Sequence, residues 1–597
     1  MLLRPFKRIV VLATFASAEI ADKVSDLPHD LAYDFIVVGG GTAGNVVANR
    51  LSENPHFNVL VLEAGISNRG IFNDMVPFAP FVADMLQPQF EWNYTTIPQP
   101  GLNGRILSYL QACILGGGSS HNEMLYTRGS ADDFDRYARL SEDPGWSWNK
   151  MLSYFFKNEK WSPPADNHDT RGQFNPAVHS TQGINSVSLG GFQFPEYNSH
   201  ILQTTKELPE KYGFNIDTNS GHPLGLGWLQ STVGNGMRSS SATSYLAEKF
   251  TQRPNLHVLL RAQVSRVLTT GSKTTHTPSF TEVEFRQGTT LYRAKARKEI
   301  ILSGGGVGTP KILLHSGVGD PNLLSSLGIP LVHNLPSVGK NLTDQPFLSI
   351  AFAVTLNNTL DAITQNATLF NEAFAQWNRS HTGPFVVPAP THISWHRLDA
   401  NSSILKTHPD PSAGPNTPHI EILLAPGGGG PGSSGTQVGH FVTTSLSMVT
   451  PASRGSISIN SSDPFSAPLI DTGLLQDEFD IFTVREAIKR AQLFFTAPNW
   501  RNVVIGPTQN FDNMTTAEMD TFIRNTAIPS LHLVGSASMT ARDAPYGVVN
   551  PDLLVKGVTG LRIVDASVIP RIPSAHTQAA IYAFAERGAD LIKQHWA

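Results

Sequence analysis

Cysteine, net charge and long apolar runs are all scarce in this chain of 597 residues, and each scarcity excludes a class of protein. Cys113 is the only cysteine, which rules out an intramolecular disulfide framework. A net charge of −4 gives no basic surface for nucleic acid or for an anionic membrane. No apolar run approaches the length of a membrane span. We therefore expect neither nucleic acid nor a membrane as a partner, and we expect no metal site.

Residues 1–18 have the order of a secretory signal. Arg4, Lys7 and Arg8 precede an apolar run over 9–15, and small residues follow as far as Ala18, where cleavage is expected. The alternative is a disordered basic tail. The pattern favours secretion, and we predict an extracellular protein.

Asparagine-linked glycosylation is a second indication of secretion. The chain has eight Asn-x-Ser/Thr sequons, each a potential site for an N-glycan in a secreted protein. Five of them fall between Asn341 and Asn401, so we expect that stretch to lie at the surface. The sequons are at Asn93, Asn341, Asn357, Asn366, Asn378, Asn401, Asn460 and Asn513.

A strand, a glycine turn and a helix follow one another near the start of the chain. Residues 33–38 are an apolar strand pattern that leads into a G-x-G-x-x-G sequence at Gly39, Gly41 and Gly44, and a helical pattern follows over 45–51. In such a unit the first glycine allows the turn, the second lets a pyrophosphate approach the backbone, and the third lets the helix pack on the strand. The spacing predicts a dinucleotide-binding unit.

A second strand pattern, over 58–62, ends at Glu63. An acid at this point accepts hydrogen bonds from the hydroxyls of an adenosine ribose and repels a 2′-phosphate. The glycines alone are also compatible with an ordinary tight turn, but the two strands and the acid favour dinucleotide binding. These residues do not distinguish FAD from NAD.

Further along, an apolar strand over 299–302 leads into a helix that we predict to start with Thr309 as its N-cap, Pro310 in its first turn and Gly317 at its end. Residues 560–569 are a strand followed by a turn, and a helical pattern follows over 577–596.

The chain is long enough to require two domains. The strand and helix patterns that surround the glycine turn come from both ends of the sequence, whereas the intervening segments alternate short strands with Gly/Pro turns. We predict an α/β fold (α+β overall), with a Rossmann-like cofactor domain and a second domain built on an antiparallel sheet. The cofactor domain is predicted over 30–150, 231–330 and 546–597, and the substrate domain over 151–230 and 331–545.

Five motifs in a fixed order resemble the glucose-methanol-choline (GMC) oxidoreductases over nearly the whole chain. They are residues 34–41, Leu115-Gly-Gly-Gly-Ser-Ser120, Gly308-Thr-Pro-Lys311 followed by Ser316-Gly-Val-Gly319, Val338-Gly-Lys-Asn-Leu342, and His532 with His576. The resemblance implies the GMC fold and FAD as cofactor. It also implies that the cofactor is contacted by Gly39, Gly41, Thr42, Ala43, Gly44, Glu63, Gly117, Ser120, His121, Asn122, Val264, Asp565, Ala566, Thr577 and Gln578.

The resemblance places His532 and His576 together at the flavin N5 edge as the catalytic pair. Hydride leaves an alcohol carbon readily only as the hydroxyl proton departs, and a neutral imidazole accepts that proton near pH 7. We assign His532 as the base and His576 as the hydrogen-bonding partner of the substrate oxygen. If a helix begins near Thr577, its positive end can also stabilise the reduced flavin.

His121 is the residue that best indicates which members of the family the chain resembles most. Most members have an aliphatic residue there, whereas members with Ser-Ser-His-Asn, as at 119–122, bind FAD covalently through that histidine. The resemblance therefore implies a covalent link from His121 and favours the secreted fungal pyranose dehydrogenases, with sugar as substrate and quinones or metal complexes as electron acceptors. A buried, hydrogen-bonded histidine is the alternative for His121.

Three other functions stay open. Aryl-alcohol oxidases, which use oxygen and hold FAD without a covalent bond, share the remaining motifs. Hydroxynitrile lyases share the fold and the histidines without redox turnover, although a histidine that tunes the flavin would serve no purpose there. A nonenzymatic flavoprotein is the third alternative.

Overall fold

The computed structural model describes residues 20–28, 30–78, 89–269, 277–388, 390–429 and 438–597. The predicted signal, residues 1–18, lies outside the described residues. Within these ranges no helix is long and apolar enough to cross a membrane.

The first sheet is a mixed sheet that holds the glycine turn. Its central strand, Ala32–Val38, runs parallel to both of its neighbours, Val59–Leu62 and Thr290–Leu302. The side chains of residues 35–38 and 59–62 are almost completely buried, and continuous apolar runs such as Phe-Ile-Val-Val suit strands that are covered on both faces. In order, its strands are Ile20–Ala21, Leu256–Leu259, Val59–Leu62, Ala32–Val38, Thr290–Leu302, Phe280–Gln287 and Gln263–Thr269, with Leu561–Ile563 paired to Thr290–Leu302.

The second sheet is antiparallel throughout. The long helix Glu478–Phe494 packs on this sheet through its apolar side. Aliphatic and aromatic side chains form the core between the helix and the sheet. Its strands, in order, are Val504–Pro507, Pro346–Val354, Phe441–Met448, Ile420–Ala425, His392–His396 and Gly225–Trp228, with Ile528–Pro529 paired to Pro346–Val354.

The remaining elements connect and cover these two sheets. Short strands form small sheets at Tyr94–Thr95 with Ser108–Tyr109, Glu159–Trp161 with Asn185–Leu189 and Gln230–Ser231, Val233–Gly234 with Met237–Arg238, Val318–Gly319 with His333–Asn334, and Ser456–Ser458 with Leu469–Asp471. The α-helices in the described part of the chain are Thr42–Leu51, Phe72–Met75, Ala131–Ser141, Trp148–Asn158, Pro195–Glu207, Pro209–Tyr212, Ser241–Ser244, Glu248–Thr251, Gly305–His315, Pro321–Ser326, Asp361–Thr364, Ala367–Ser380, Ile404–Thr407, Glu478–Phe494, Thr516–Thr526 and Gln578–His595.

The strands follow the predicted division of the chain closely. Apart from Ile20–Ala21, every strand of the first sheet lies within the segments predicted for the cofactor domain. Every strand of the second sheet lies within the segments predicted for the substrate domain. The domain boundaries themselves stay a prediction.

The predicted start of one helix was wrong. The helix begins at Gly305, so Pro310 lies inside it and Thr309 is not its N-cap. Proline has no N–H for the carbonyl of Gly306, four residues earlier, and the hydroxyl of Ser536 donates to that carbonyl instead, at 2.6 Å. This replacement lets the helix continue through the proline, and it ends as predicted before Gly317, whose φ is +78°.

The expected surface location of residues 341–401 was also wrong in part. Pro346–Val354 is a largely buried strand of the second sheet, and His392–His396 is buried throughout. The other four sequon asparagines of this stretch are exposed. Asn341 is not exposed in this way. Its side-chain N–H groups donate to the Ser538 hydroxyl and the Pro570 carbonyl.

Candidate active site

A cavity of about 480 Å³ lies between the two sheets. On one side it meets the carboxyl ends of parallel strands of the first sheet, at Val38, Leu62 and Ser303, which is where open α/β sheets bind ligands. On the other side Phe347 and Leu423 of the second sheet form its wall.

The glycine turn forms one end of this cavity. Two of its glycines have no room for a side chain. Gly39 has a φ of +103°, and a Cβ on it would lie 2.5 Å from the carbonyl oxygen of Ser303. A Cβ on Gly44 would lie 1.9 Å from the carbonyl oxygen of Gly39. Gly44 therefore lets the helix pack against the strand and does not line the cavity, whereas Gly39 and Gly41 do.

Glu63 is held in place beside this turn by backbone N–H groups. Its two carboxylate oxygens accept hydrogen bonds from Gly40 and Gly65, both at 2.7 Å. Burial raises the pKa of Glu63 to about 7, and these two hydrogen bonds partly offset the shift. Glu63 lines the cavity and follows the glycines by about 20 residues, which is the spacing of the acid that binds a ribose hydroxyl.

Three helices direct their N-termini into the cavity. The helix Thr42–Leu51 begins at its wall with Thr42 and Ala43, Gly305–His315 begins there with its glycines, and Gln578–His595 begins there behind Thr577. The first N–H groups of a helix have no partner within the helix and carry partial positive charge. The cavity therefore suits a ligand with negative charge at several points.

The side chain of Gln578 gives the clearest indication that a ligand binds in this cavity. Its side-chain N–H donates to the carbonyl of Leu125 at 2.7 Å, which fixes the orientation of the amide. Its Oε1 is buried and has no hydrogen-bond partner among the described residues. An acceptor left unpaired at a cavity wall is available to a donor of a bound group or of an ordered water.

His532 and His576 lie together at the other end. Their ring centroids are 4.7 Å apart and the rings are nearly perpendicular, at 79°. The backbone N–H of His532 donates to Asp344 at 2.9 Å, and that of His576 donates to the Thr127 hydroxyl at 2.8 Å. Leu531, just before His532, has a φ of +63°, a strained conformation that this anchoring helps to hold.

The two imidazoles differ in charge. Burial lowers the pKa of His532 well below its ordinary value, and the positive charge of His576 lowers it further. Burial also acts to lower the pKa of His576, but the carboxylates of Glu421 and Glu123 outweigh it, so that this pKa is raised. The Nε2 of His576 lies 3.0 Å from Glu421 Oε1. His532 is thus neutral near neutral pH, whereas His576 holds its proton more strongly than an ordinary histidine does.

His121 lines the cavity between these two ends, and its Nε2 is hydrogen-bonded to Glu91. The other oxygen of Glu91 accepts from the backbone N–H of Gln111 at 2.6 Å. These two hydrogen bonds hold Glu91 in place, and Glu91 in turn fixes the orientation of the His121 imidazole. Asn122, next along the chain, accepts from the backbone N–H of Met124 at 3.0 Å and also lines the cavity.

The other predicted cofactor residues take three kinds of position. Gly117, Val264 and Ala566 line the cavity. Asp565 lines it as well, but its carboxylate accepts from the Gly305 N–H and the Ser567 N–H, at 2.9 and 2.8 Å, and so organises the turn. Ser120 does not line the cavity, and its hydroxyl donates to the Leu115 carbonyl.

Sequence reasoning missed three carboxylates that surround the histidines. Glu421 is only 1% exposed within the otherwise apolar strand Ile420–Ala425, and a lone acid in such a strand is a signal that could have been noticed. Glu91 and Glu123 lie in irregular segments, where the sequence gives no comparable signal.

Two family models described as GMC oxidoreductase match residues 33–347, which include the glycine turn and Glu63, and residues 451–585, which include both histidines. The chain therefore belongs to the GMC oxidoreductase family, as the motifs predicted.

Two named relatives and one solved structure are similar to this chain over nearly its whole length. A pyranose dehydrogenase of Agaricus campestris is 41% identical over 96% of this chain and 95% of its own length. Dehydrogenase eriK of Hericium erinaceus is 40% identical over 98% of both chains. A formate oxidase of Aspergillus oryzae RIB40, studied for its FAD modification, superposes with a TM-score of 0.86 at 26% identity, over 94% of this chain and 98% of that one.

These findings make FAD the cofactor, and the residues present fit it. The glycine turn without side chains and the anchored Glu63 fit the pyrophosphate and the ribose of a dinucleotide such as FAD, and the Oε1 of Gln578 is available to a donor of the cofactor.

Proposed function

We propose that this chain is a secreted pyranose dehydrogenase, which oxidises a ring hydroxyl of a sugar to a ketone and passes the electrons to quinones or metal complexes. The observation that best supports this redox function is that the two histidines face the same cavity as the glycine turn. When bound, FAD supplies the hydride acceptor. The pyranose dehydrogenase relative at 41% identity supports sugar as the substrate.

The two histidines divide the proton chemistry between them. Neutral His532 accepts the proton of the substrate hydroxyl, and its lowered pKa keeps it neutral into mildly acidic solution. Charged His576 donates a hydrogen bond to the same oxygen and stabilises the negative charge that develops there. Glu421 holds the charge on His576.

We further propose that His121 forms a covalent bond to the 8α-methyl carbon of FAD. An imidazole N–H bond and a methyl C–H bond would break, the two electrons would reduce the flavin, and the proposed quinone acceptor would remove them. In support, the imidazole lines the cavity, and Glu91 both orients it and can accept its ring proton. To test this, the protein is precipitated with acid and the denatured band is examined for flavin fluorescence. Flavin that stays entirely in the supernatant would refute the link. We expect His121→Ala to fold and bind FAD without a covalent bond, because the glycine turn and Glu63 are unchanged.

A specific observation favours a second substrate class, aromatic alcohols. The cavity wall includes the side chains of Trp92, Phe347, Leu423, Ile528 and Leu531, which offer few hydrogen bonds to a sugar. Steady-state oxidation of a sugar panel and an aromatic-alcohol panel, each with a quinone and with oxygen, separates the two. Turnover of aromatic alcohols with oxygen and not of sugars would replace the dehydrogenase by an aryl-alcohol oxidase.

The exposed sequons support secretion with N-glycans. Seven of the eight asparagines are exposed, whereas the side-chain nitrogen of Asn341 is engaged by Ser538 and Pro570. We expect glycans only at the exposed sites. Glycopeptide mass spectrometry of the protein from a eukaryotic host tests this, and a glycan at Asn341 would contradict it.

A further inference from the structure

We propose that Gln345 is a positioning residue that decides which ring nitrogen of His532 carries the proton. The proposal rests on the proposed role of His532 as base and adds a residue to it. Gln345 lies just before the strand Pro346–Val354 and is 1% exposed. It belongs to none of the motifs that carried the family resemblance.

The orientation of the Gln345 amide is determined by its surroundings. Its nitrogen lies 3.1 Å from the carbonyl oxygen of Val449, 3.3 Å from that of Pro573 and 3.4 Å from that of Ala575. Carbonyl oxygens only accept hydrogen bonds, so the NH₂ group must face them. The amide oxygen must therefore face the opposite way, toward His532.

That orientation fixes the tautomer of His532. The Gln345 Oε1 lies 2.7 Å from His532 Nδ1, and an amide oxygen can only accept. The hydrogen of the neutral imidazole is then on Nδ1, which leaves the lone pair on Nε2. A base must present an unprotonated nitrogen to its substrate, and Gln345 keeps Nε2 in that state.

Gln345 also connects the two loops that carry the histidines. Its side chain binds His532 on one side and the carbonyls of Pro573 and Ala575, just before His576, on the other. Its backbone carbonyl accepts from the Ser530 N–H at 2.8 Å. One side chain thus sets both the tautomer of the base and the spacing of the pair.

The test compares Gln345→Leu with Gln345→Glu in the FAD-loaded enzyme. Leucine removes the acceptor, so the imidazole proton is free to occupy Nε2. In a serine protease an incorrect tautomer costs about 10⁴-fold, and a ring that samples both tautomers should lose less, about 10–100-fold in the limiting rate of flavin reduction. Glutamate keeps an acceptor at Nδ1, so we expect the limiting rate to recover and the pH profile to move to higher pH.

A matched control and a second readout separate positioning from damage to the fold. Gln99 is another buried glutamine, which accepts from the Thr472 hydroxyl at 2.7 Å and does not line the cavity. Gln99→Leu should lower the thermal stability and leave the pH profile unchanged. In ¹⁵N-histidine NMR spectra, the signals assigned to His532 by difference from His532→Ala should show a protonated Nδ1 in wild type and a mixture in Gln345→Leu.

The outcomes distinguish this inference from the proposed function. A limiting rate near wild type in Gln345→Leu, or equal losses in the leucine and glutamate variants, would overturn the role of Gln345 and leave His532 as base. Normal flavin reduction in His532→Ala would overturn the proposed mechanism itself.

Discussion

Two histidine sites in this molecule combine imidazoles with carboxylates for different purposes. The side chain of His179 is 2% exposed, and both of its ring nitrogens are bound to carboxylates, at 2.7 Å to Glu159 and 2.7 Å to Asp217. His532 and His576 each have one nitrogen held by a neighbouring side chain, and both line the cavity. A histidine can act on a substrate only with the nitrogen that the fold leaves free. His179 is thus a structural cation, and the pair is suited to chemistry.

The largest effect should come from His532→Ala. Removing the base takes away proton acceptance in the transition state, which contributes about 10²–10⁴-fold. Stopped-flow reduction by a good substrate, followed at the flavin absorbance band, measures the loss. A rate within a few-fold of wild type would show that the base lies elsewhere.

His576→Ala should slow reduction by about 10²–10³-fold, as expected when one donor to a developing oxyanion is lost. Both histidines act on one oxygen, so the double variant should lose less than the product of the single effects. Multiplicative losses would show instead that the two rings act independently.

Glu421→Gln should shift the pH profile and lower the plateau rate less than either histidine variant does. The carboxylate raises the pKa of His576, so without it His576 loses its proton at lower pH. The decline in rate on the alkaline side should therefore move to lower pH. Glu123→Gln should move it in the same direction by less, because Glu123 acts on His576 without a hydrogen bond. An unchanged profile in Glu421→Gln would contradict this account of the charge.

His179→Ala should leave the rate of flavin reduction unchanged and affect stability alone. Removing one partner of a buried charged network costs about 3–5 kcal/mol. Burial acts to lower the pKa of His179, but the hydrogen bonds to Asp217 and Glu159 outweigh it, so the folded-state pKa is raised. Its stabilisation is then fully present below the unfolded pKa of about 6.5 and is lost as the pH rises through the folded value. In melting curves of both proteins, the difference in melting temperature should become smaller as the pH rises above about 6.5.

The sequence predicted the parts of the site whose function depends on neighbours along the chain. The turn from Gly39 to Gly44 and the strand that ends at Glu63 are local patterns, and their predicted bounds were close to those observed. His532 and His576 could be paired only through the family resemblance, because 44 positions separate them.

The parts that could not be predicted depend on contacts across the fold. Gln345 acquires its role from carbonyls more than 100 positions away along the chain. The prediction of Thr309 as an N-cap failed for a similar reason, since the Ser536 hydroxyl that lets the helix continue through Pro310 belongs to a distant loop. Local propensity cannot anticipate a donor supplied by another segment.

The three helix N-termini that converge on the cavity also affect how the protein is made. A bound FAD has a donor for the unpaired Gln578 oxygen and negative charge for the helix N-termini, so the chain is more stable with its cofactor than without it. A ligand that binds only the folded chain stabilises it by mass action. The yield of intact enzyme from a cell should therefore follow its flavin supply, and riboflavin starvation should lower the amount of protein before it lowers the activity per molecule.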